Sequence, residues 1–342
     1  MSQNKKVYLE AIRVIAVVLV IFNHTDGFVY YRETENGLTW IYSMVLAIIC
    51  RTAVPLFFMV SGALLLEKEE SFSVLFKKRI FRILLVLVIV SLGYYFFDMG
   101  RGRIVDAGAA DFLIKLLTNG IRESFWFLYA YLAVLLTLPF FRKLAPRMNK
   151  QLIIYLIILK AVSELLVPFV NLIFGISITF DIGFVGSYIY YMLLGFCLIP
   201  TEKKESQTVK TGILWLCFGG LLVFNMAVMG LLYKVTGEYP AAGLDFFVFL
   251  TAPLIWMIMQ RSVERIPGQS KINQCIIAMG SCVFGIYLLD NFIRWQLLPV
   301  YLFLSEKTVG VLACSVYVIL VFIIGFLYTW ILKKIPVIKR FL

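Results

Sequence analysis

Apolar residues in this chain run on for about twenty positions at a time and then stop at short segments rich in charge. A helix crosses the hydrocarbon of a bilayer in roughly 20 residues, so each run predicts one membrane span. Ten such runs fall at about 8–27, 38–66, 80–97, 124–141, 151–170, 182–200, 212–234, 245–260, 275–297 and 309–332. The second is overlong and carries Pro55, which predicts a kink or break there. Between the third and fourth runs, residues 98–123 are polar, with a short amphipathic helix expected at Phe112–Leu117.

Composition removes the other classes. Of 342 residues, 61% are hydrophobic and 15% charged, whereas a soluble domain carries about 25% charged residues to wet its surface. The pattern predicts an all-α polytopic membrane helix bundle of about ten helices, forming one integral membrane domain over 1–342. No long polar tract and no fixed repeat point to disorder or a solenoid. The net charge of +12 would suggest a nucleic-acid binder in a soluble protein; here the partner is the lipid bilayer, and no nucleic acid is expected. With one His and no CxxC spacing, no metal site is expected either.

The charge has a topological cause. With ten spans and the N-terminus inside, 21 of the 32 Lys and Arg fall on the inner side, among them Lys5, Lys6, Lys203 and Lys204. Only seven, such as Arg32, Arg101 and Lys307, fall outside. That is the positive-inside bias, and it places both termini in the cytoplasm. The Val14–Phe22 run leads into Asn23-His24-Thr25-Asp26 with no small-residue cleavage site, so the first span reads as a retained helix. No soluble catalytic domain is expected at either end, and the chemistry then belongs inside the bundle or at its mouths.

Ionisable residues at membrane depth mark cavities, partners or water. This chain has Glu10, Arg13, His24, Arg51, Lys160, Glu164, Asp290 and Arg294 there. Eleven residues make close to three helical turns, so Arg13 and His24 share a face about 16 Å apart along the axis. Taken singly, Arg13 can snorkel to lipid phosphate and His24 can sit at the interface; as an aligned pair they suit a molecule entering from inside and reacting toward the outside. Arg79 and Arg82, spaced i,i+3 at the cytoplasmic start of the third span, can clamp a polyanion or simply add to the inner positive cluster. Arg51 cannot shed its charge and needs an anion or a water-filled recess. Lys160–Glu164 and Asp290–Arg294 are i,i+4 pairs; the first reads as structural, the second as a possible lining of an outer mouth beside Tyr287 and Asn291.

At these residues the chain resembles the acyltransferase-3 family of integral membrane O-acyltransferases. Tyr8-Leu-Glu-Ala-Ile-Arg13 followed by His24 is similar to the family's opening motif. Ala53-Val-Pro-Leu-Phe-Phe-Met-Val-Ser-Gly62, Arg79-Ile-Phe-Arg82, Phe125-Trp-Phe-Leu128 through Pro139, Phe284-Gly-Ile-Tyr-Leu288 and Lys334-Ile-Pro336 continue the likeness in order. Two features depart from it. Leu289-Asp290 stands where members often have His after the Gly-Ile-Tyr-Leu run, and Ala130-Tyr131 stands where one large branch has Glu. Both place the chain nearer the acyltransferase-only branch. The resemblance implies a cytoplasmic acyl-CoA donor, usually acetyl-CoA, and an extracytoplasmic acceptor hydroxyl on an envelope glycan or lipid-linked precursor. It also implies residence in a bacterial cytoplasmic membrane.

Acyl transfer to an alcohol needs a base, and His24 is the only imidazole. Arg13 stands with it as the second catalytic candidate. Arg79, Arg82 and Arg51 are the candidate contacts for the donor's phosphates, with Arg51 or a Tyr also an oxyanion donor. Glu164 and Asp290 are both candidates to orient His24, while Asp26 points away on a regular helix. Glu10 and Arg294 complete the candidate set. A transporter or flippase for an anionic or lipid-linked substrate is the rival reading, since buried arginines and a Pro-interrupted helix suit that class too.

Overall fold

The computed structural model describes residues 3–25, 37–104, 106–180, 182–183, 188–199, 210–267 and 270–342. Asp26, Arg32, Lys203 and Lys204, named above on sequence grounds, lie outside the described residues. The regular elements among the described residues are all helices, with no strand.

Every expected span has a helix. They are α1 (Gln3–Asn23), α2 (Leu38–Leu65), α3 (Phe72–Gly100), the short α4 (Ala109–Leu117), α5 (Glu123–Arg147), α6 (Lys150–Phe174), α7 (Ile189–Cys197), α8 (Thr211–Thr236), α9 (Ala241–Glu264), α10 (Lys271–Lys307), α11 (Gly310–Leu332) and the C-terminal turn α12 (Pro336–Lys339). Eight of these, α2, α3, α5, α6 and α8–α11, are long and apolar enough to cross a membrane. Helix α1 has the length, but Glu10 and Arg13 raise its charge; α7 shows nine helical residues. The amphipathic segment before α5 forms α4, which begins three residues earlier than its apolar run suggests.

Helix α2 is broken, but not at its proline. It runs as Leu38–Cys50 and Ala53–Leu65, joined by a turn at Arg51 and Thr52. Pro55 stands in the first turn of the second half, where a missing N–H costs nothing. Arg51 therefore sits at the break itself. Helix α10 is the other surprise: 37 residues long, it continues well past the run that predicted it.

The chain forms two compact units. The first, residues 1–66 with 147–340 and 342, holds α1, α2 and α6–α12. Its helices pack closely where they cross. A Cβ on Gly62 of α2 would meet the Met192 carbonyl oxygen at 1.9 Å, and one on Gly195 of α7 would meet that of Met59 at 2.0 Å. Small residues are what let membrane helices approach backbone to backbone. Helices α10 and α11 form an antiparallel hairpin, with Gly285 against Thr329, Gly325 against Ile286 and Ile293, and Tyr301 against Tyr317. Helix α1 lies on α10 with Glu10 over Gly280 and His24 beside Asp290, so the two run in the same direction. Parallel spans need an odd number of crossings between them, and α2, α3 and α5–α9 supply seven if the short α7 is counted.

The second unit, residues 67–146 with Phe341, is an antiparallel hairpin of α3 and α5. Tyr94 meets Phe125 edge-on, and Arg122 reaches Asp98 at 2.5 Å and lies over the Tyr94 ring. Tyr95 ties α4 to the hairpin through Asp111 at 2.8 Å.

Candidate active site

At its C-terminal end α1 gives way to a turn in which the His24 N–H still bonds the Val20 carbonyl at 2.9 Å. This holds the imidazole against α10, where His24 Nδ1 lies 2.6 Å from Asp290 Oδ2. The two residues are 266 positions apart in the chain. Asp290 is sealed, with 1% of its side chain open, whereas His24 keeps 17%. A carboxylate accepts hydrogen bonds, so the pairing fixes the proton on Nδ1 and leaves the Nε2 lone pair available.

Arg294, one turn along α10, closes the arrangement. Its Nε lies 3.4 Å from Asp290 Oδ2, and its Nη1 donates to the His24 carbonyl at 2.6 Å. Tyr317 of α11 donates in turn to the Arg294 carbonyl. One arginine thus offsets the buried carboxylate and grips the backbone of the residue that carboxylate orients. Thr25 Oγ1 lies 2.9 Å from Cys314 Sγ, joining the same turn to α11. Neither Tyr317 nor Cys314 is visible as a partner in sequence, since both lie in an uninterrupted apolar run.

Arg13, midway along α1, donates to Glu10 Oε2 at 2.9 Å. Glu10 itself rests on Gly280, where a Cβ would fall 2.3 Å from its Oε2. Arg13 and Glu10 therefore form one ion pair seated on α10, the helix that also carries Asp290.

The other candidates fall into separate clusters. Arg51, at the break in α2, has Asp245 of α9 at 3.6 Å. Lys160 is fully buried, pairs with Glu164 and lies over the rings of Tyr190 and Tyr191 at 5.2 and 5.1 Å. Glu164 accepts from Tyr191, and the carboxylate that holds His24 is Asp290 instead. In the second unit, Arg79 makes a two-pronged contact with Glu70, which Arg142 also reaches at 2.9 Å. The Arg79 hydrogen bond, helped by Arg142 and opposed by burial, holds the Glu70 carboxyl down at about 2. Arg82 donates to the Phe341 carbonyl at 3.1 Å, and its buried Nε makes no hydrogen bond among the described residues. Of the expected clamp, Arg79 is already neutralised by a carboxylate and Arg82 is not. Glu70 and Asp245 were missed in the sequence, one as an ordinary loop acid and the other as a lone acid before an apolar run.

Compared with known proteins, the chain matches the acyltransferase domain family over residues 6–333, nearly its whole length. No curated protein and no solved structure matches it. A polytopic helical bundle, an imidazole held by a buried carboxylate and a family match from end to end agree: the chain belongs to the acyltransferase-3 family and is a membrane acyltransferase.

Proposed function

We propose that this acyltransferase moves an acyl group, acetyl in our reading, from cytoplasmic acyl-CoA to a hydroxyl of an envelope glycan or lipid-linked acceptor. Transfer takes place at the outer side of a bacterial cytoplasmic membrane, with both chain termini in the cytoplasm. The inner bias of Lys and Arg supports that orientation. It sets Arg13 toward the cytoplasm and the His24 turn toward the outer face.

The observation that carries the reading is the 2.6 Å contact between His24 and Asp290. With Nδ1–H bound to the carboxylate, Nε2 takes the proton of the acceptor hydroxyl as its oxygen attacks the thioester carbonyl. A new C–O bond forms, the C–S bond breaks, and the proton passes to the departing CoA sulfur. Asp290 holds the imidazole in its reactive tautomer and balances the imidazolium, while Arg294 keeps the carboxylate compensated in a dry setting. The donor's phosphates are assigned to Arg82 and Arg79, with Glu70 as the internal anion they displace from Arg79. Arg13 is the fixed cation midway along α1, about three turns to the cytoplasmic side of His24.

The test uses membranes containing the chain and acetyl-CoA labelled in the acetyl group. Release of CoA that depends on the chain, with label in base-labile ester on envelope glycan, supports the reading. Labelled material that crosses the bilayer with its thioester intact, and no CoA released, contradicts it and favours a transporter.

A further inference from the structure

A second polar cluster lies in the first unit, and acyl transfer at His24 does not use it. Arg51, Asp245, Glu164, Lys160, Tyr188 and Tyr191 come from α2, α9, α6 and the start of α7. Asp245 keeps 52% of its side chain open although Gly243, Leu244, Phe246 and Phe247 around it are buried. Asp245 is thus an accessible acid between sealed neighbours. Asp245 lies near enough to Tyr188, Tyr191 and Glu164 for its charge to act on all three.

Two irregularities aim charged groups into this region. Arg51 stands at the break in α2, and its ion pair with Asp245 is loose, at 3.6 Å; its buried Nε makes no hydrogen bond among the described residues. An arginine inside a span without hydrogen-bonded oxygen is costly. Glu164 sits in a π-helical turn, Val162–Leu166, whose extra residue per turn rotates it relative to the rest of α6. Helix α1, which leads into the His24 turn, packs on both α2 and α9, the helices that carry Arg51 and Asp245.

We propose that this cluster is the acceptor site and that it takes an uncharged, hydroxyl-rich sugar ring. The assignment rests on the acyl-transfer reading above and adds a place and a chemistry for the acceptor. Asp245 and Glu164 accept from ring hydroxyls, and Arg51 donates to ring or hydroxyl oxygen. Tyr188, stacked on Phe58 at 4.4 Å, belongs to the aromatic wall on which a sugar's C–H face packs. The two carboxylates cancel Arg51 and Lys160, so the cluster has no net charge with which to draw in a phosphate. A ring seated there lies against helices that also pack on α1.

The probes are methyl β-glucoside, methyl β-N-acetylglucosaminide and methyl phosphate, offered to the full chain in lipid nanodiscs and followed by saturation-transfer NMR. Ring-proton signals are expected with at least one glycoside and none with methyl phosphate. Asp245→Asn and Glu164→Gln are each expected to weaken the ring signals about threefold or more, the loss of a hydrogen bond to a charged group. Acetyl-CoA affinity, read by calorimetry on the same samples, is expected to stay within about twofold. Glu164→Gln leaves the sealed Lys160 without its counter-charge, so Asp245→Asn, at an acid with 52% of its side chain open, is the deciding variant. Binding of methyl phosphate alone, no ring signal from either glycoside, or equal signals in wild type and variants would overturn the site. A glycoside bound as described by a protein that fails to consume acetyl-CoA would instead overturn the acyl-transfer reading and leave the site standing.

Discussion

Asp290–Arg294 and Lys160–Glu164 have the same i,i+4 spacing on membrane helices, and the protein treats them differently. Lys160 is sealed, and its surroundings finish the pair with the rings of Tyr190 and Tyr191. At Asp290 the acid is the sealed member, and its surroundings finish the pair with an imidazole from the far end of the chain. A buried cation among aromatic rings is a closed electrostatic unit. A buried carboxylate that holds a partly open imidazole has a reactive nitrogen left over. The spacing alone does not distinguish the two; what packs against the acid does.

Asp290→Asn gives the sharpest break in this comparison. An amide can hold His24 in the wrong tautomer, and transfer should fall on the order of 10³-fold while acetyl-CoA affinity is unchanged. Rates at saturating donor, together with calorimetry, check it. Lys160→Met should act the other way round. It strands Glu164 and costs about 3 kcal/mol of stability, while acetyl-CoA affinity per folded molecule stays unchanged. Adding Glu164→Gln should restore most of the lost melting temperature, because the double variant leaves no unpaired charge.

A smaller effect is expected at Gly280. A methyl there meets Glu10 Cβ at 2.6 Å and its Oε2 at 2.3 Å, so Gly280→Ala must push Glu10 and its partner Arg13 off α10. The cost should be about 1–3 kcal/mol, visible as a lower melting temperature. The smallest effect belongs to Glu70. Its carboxyl titrates near 2 in the folded protein against an ordinary value of 4.5. The resulting stabilisation is complete above about pH 4.5 and disappears as pH falls toward 2. Glu70→Gln should remove that part of the acid sensitivity, which melting curves between those limits can read.

The helices were legible because hydrocarbon thickness imposes a run length that no soluble contact can imitate. Even so, the break in α2 lies at Arg51 and Thr52 and not at Pro55, since proline is welcome in a first helical turn. The imidazole was legible as the only one in the chain. Its partner was one of two equal guesses, because Glu164 and Asp290 differ in which helix packs on α1, and no local pattern records that. Glu70 was hidden for a related reason. A loop acid becomes the counter-charge of Arg79 and Arg142 only once the α3–α5 hairpin closes.

The most direct test of the central claim is the transfer rate of His24→Ala, measured with labelled acetyl-CoA in membranes where the variant melts as wild type does. Without the imidazole the hydroxyl loses its base, and ester formation should drop to near the level of membranes lacking the chain. Ester formed at the wild-type rate would contradict the claim that His24, oriented by Asp290, is the base.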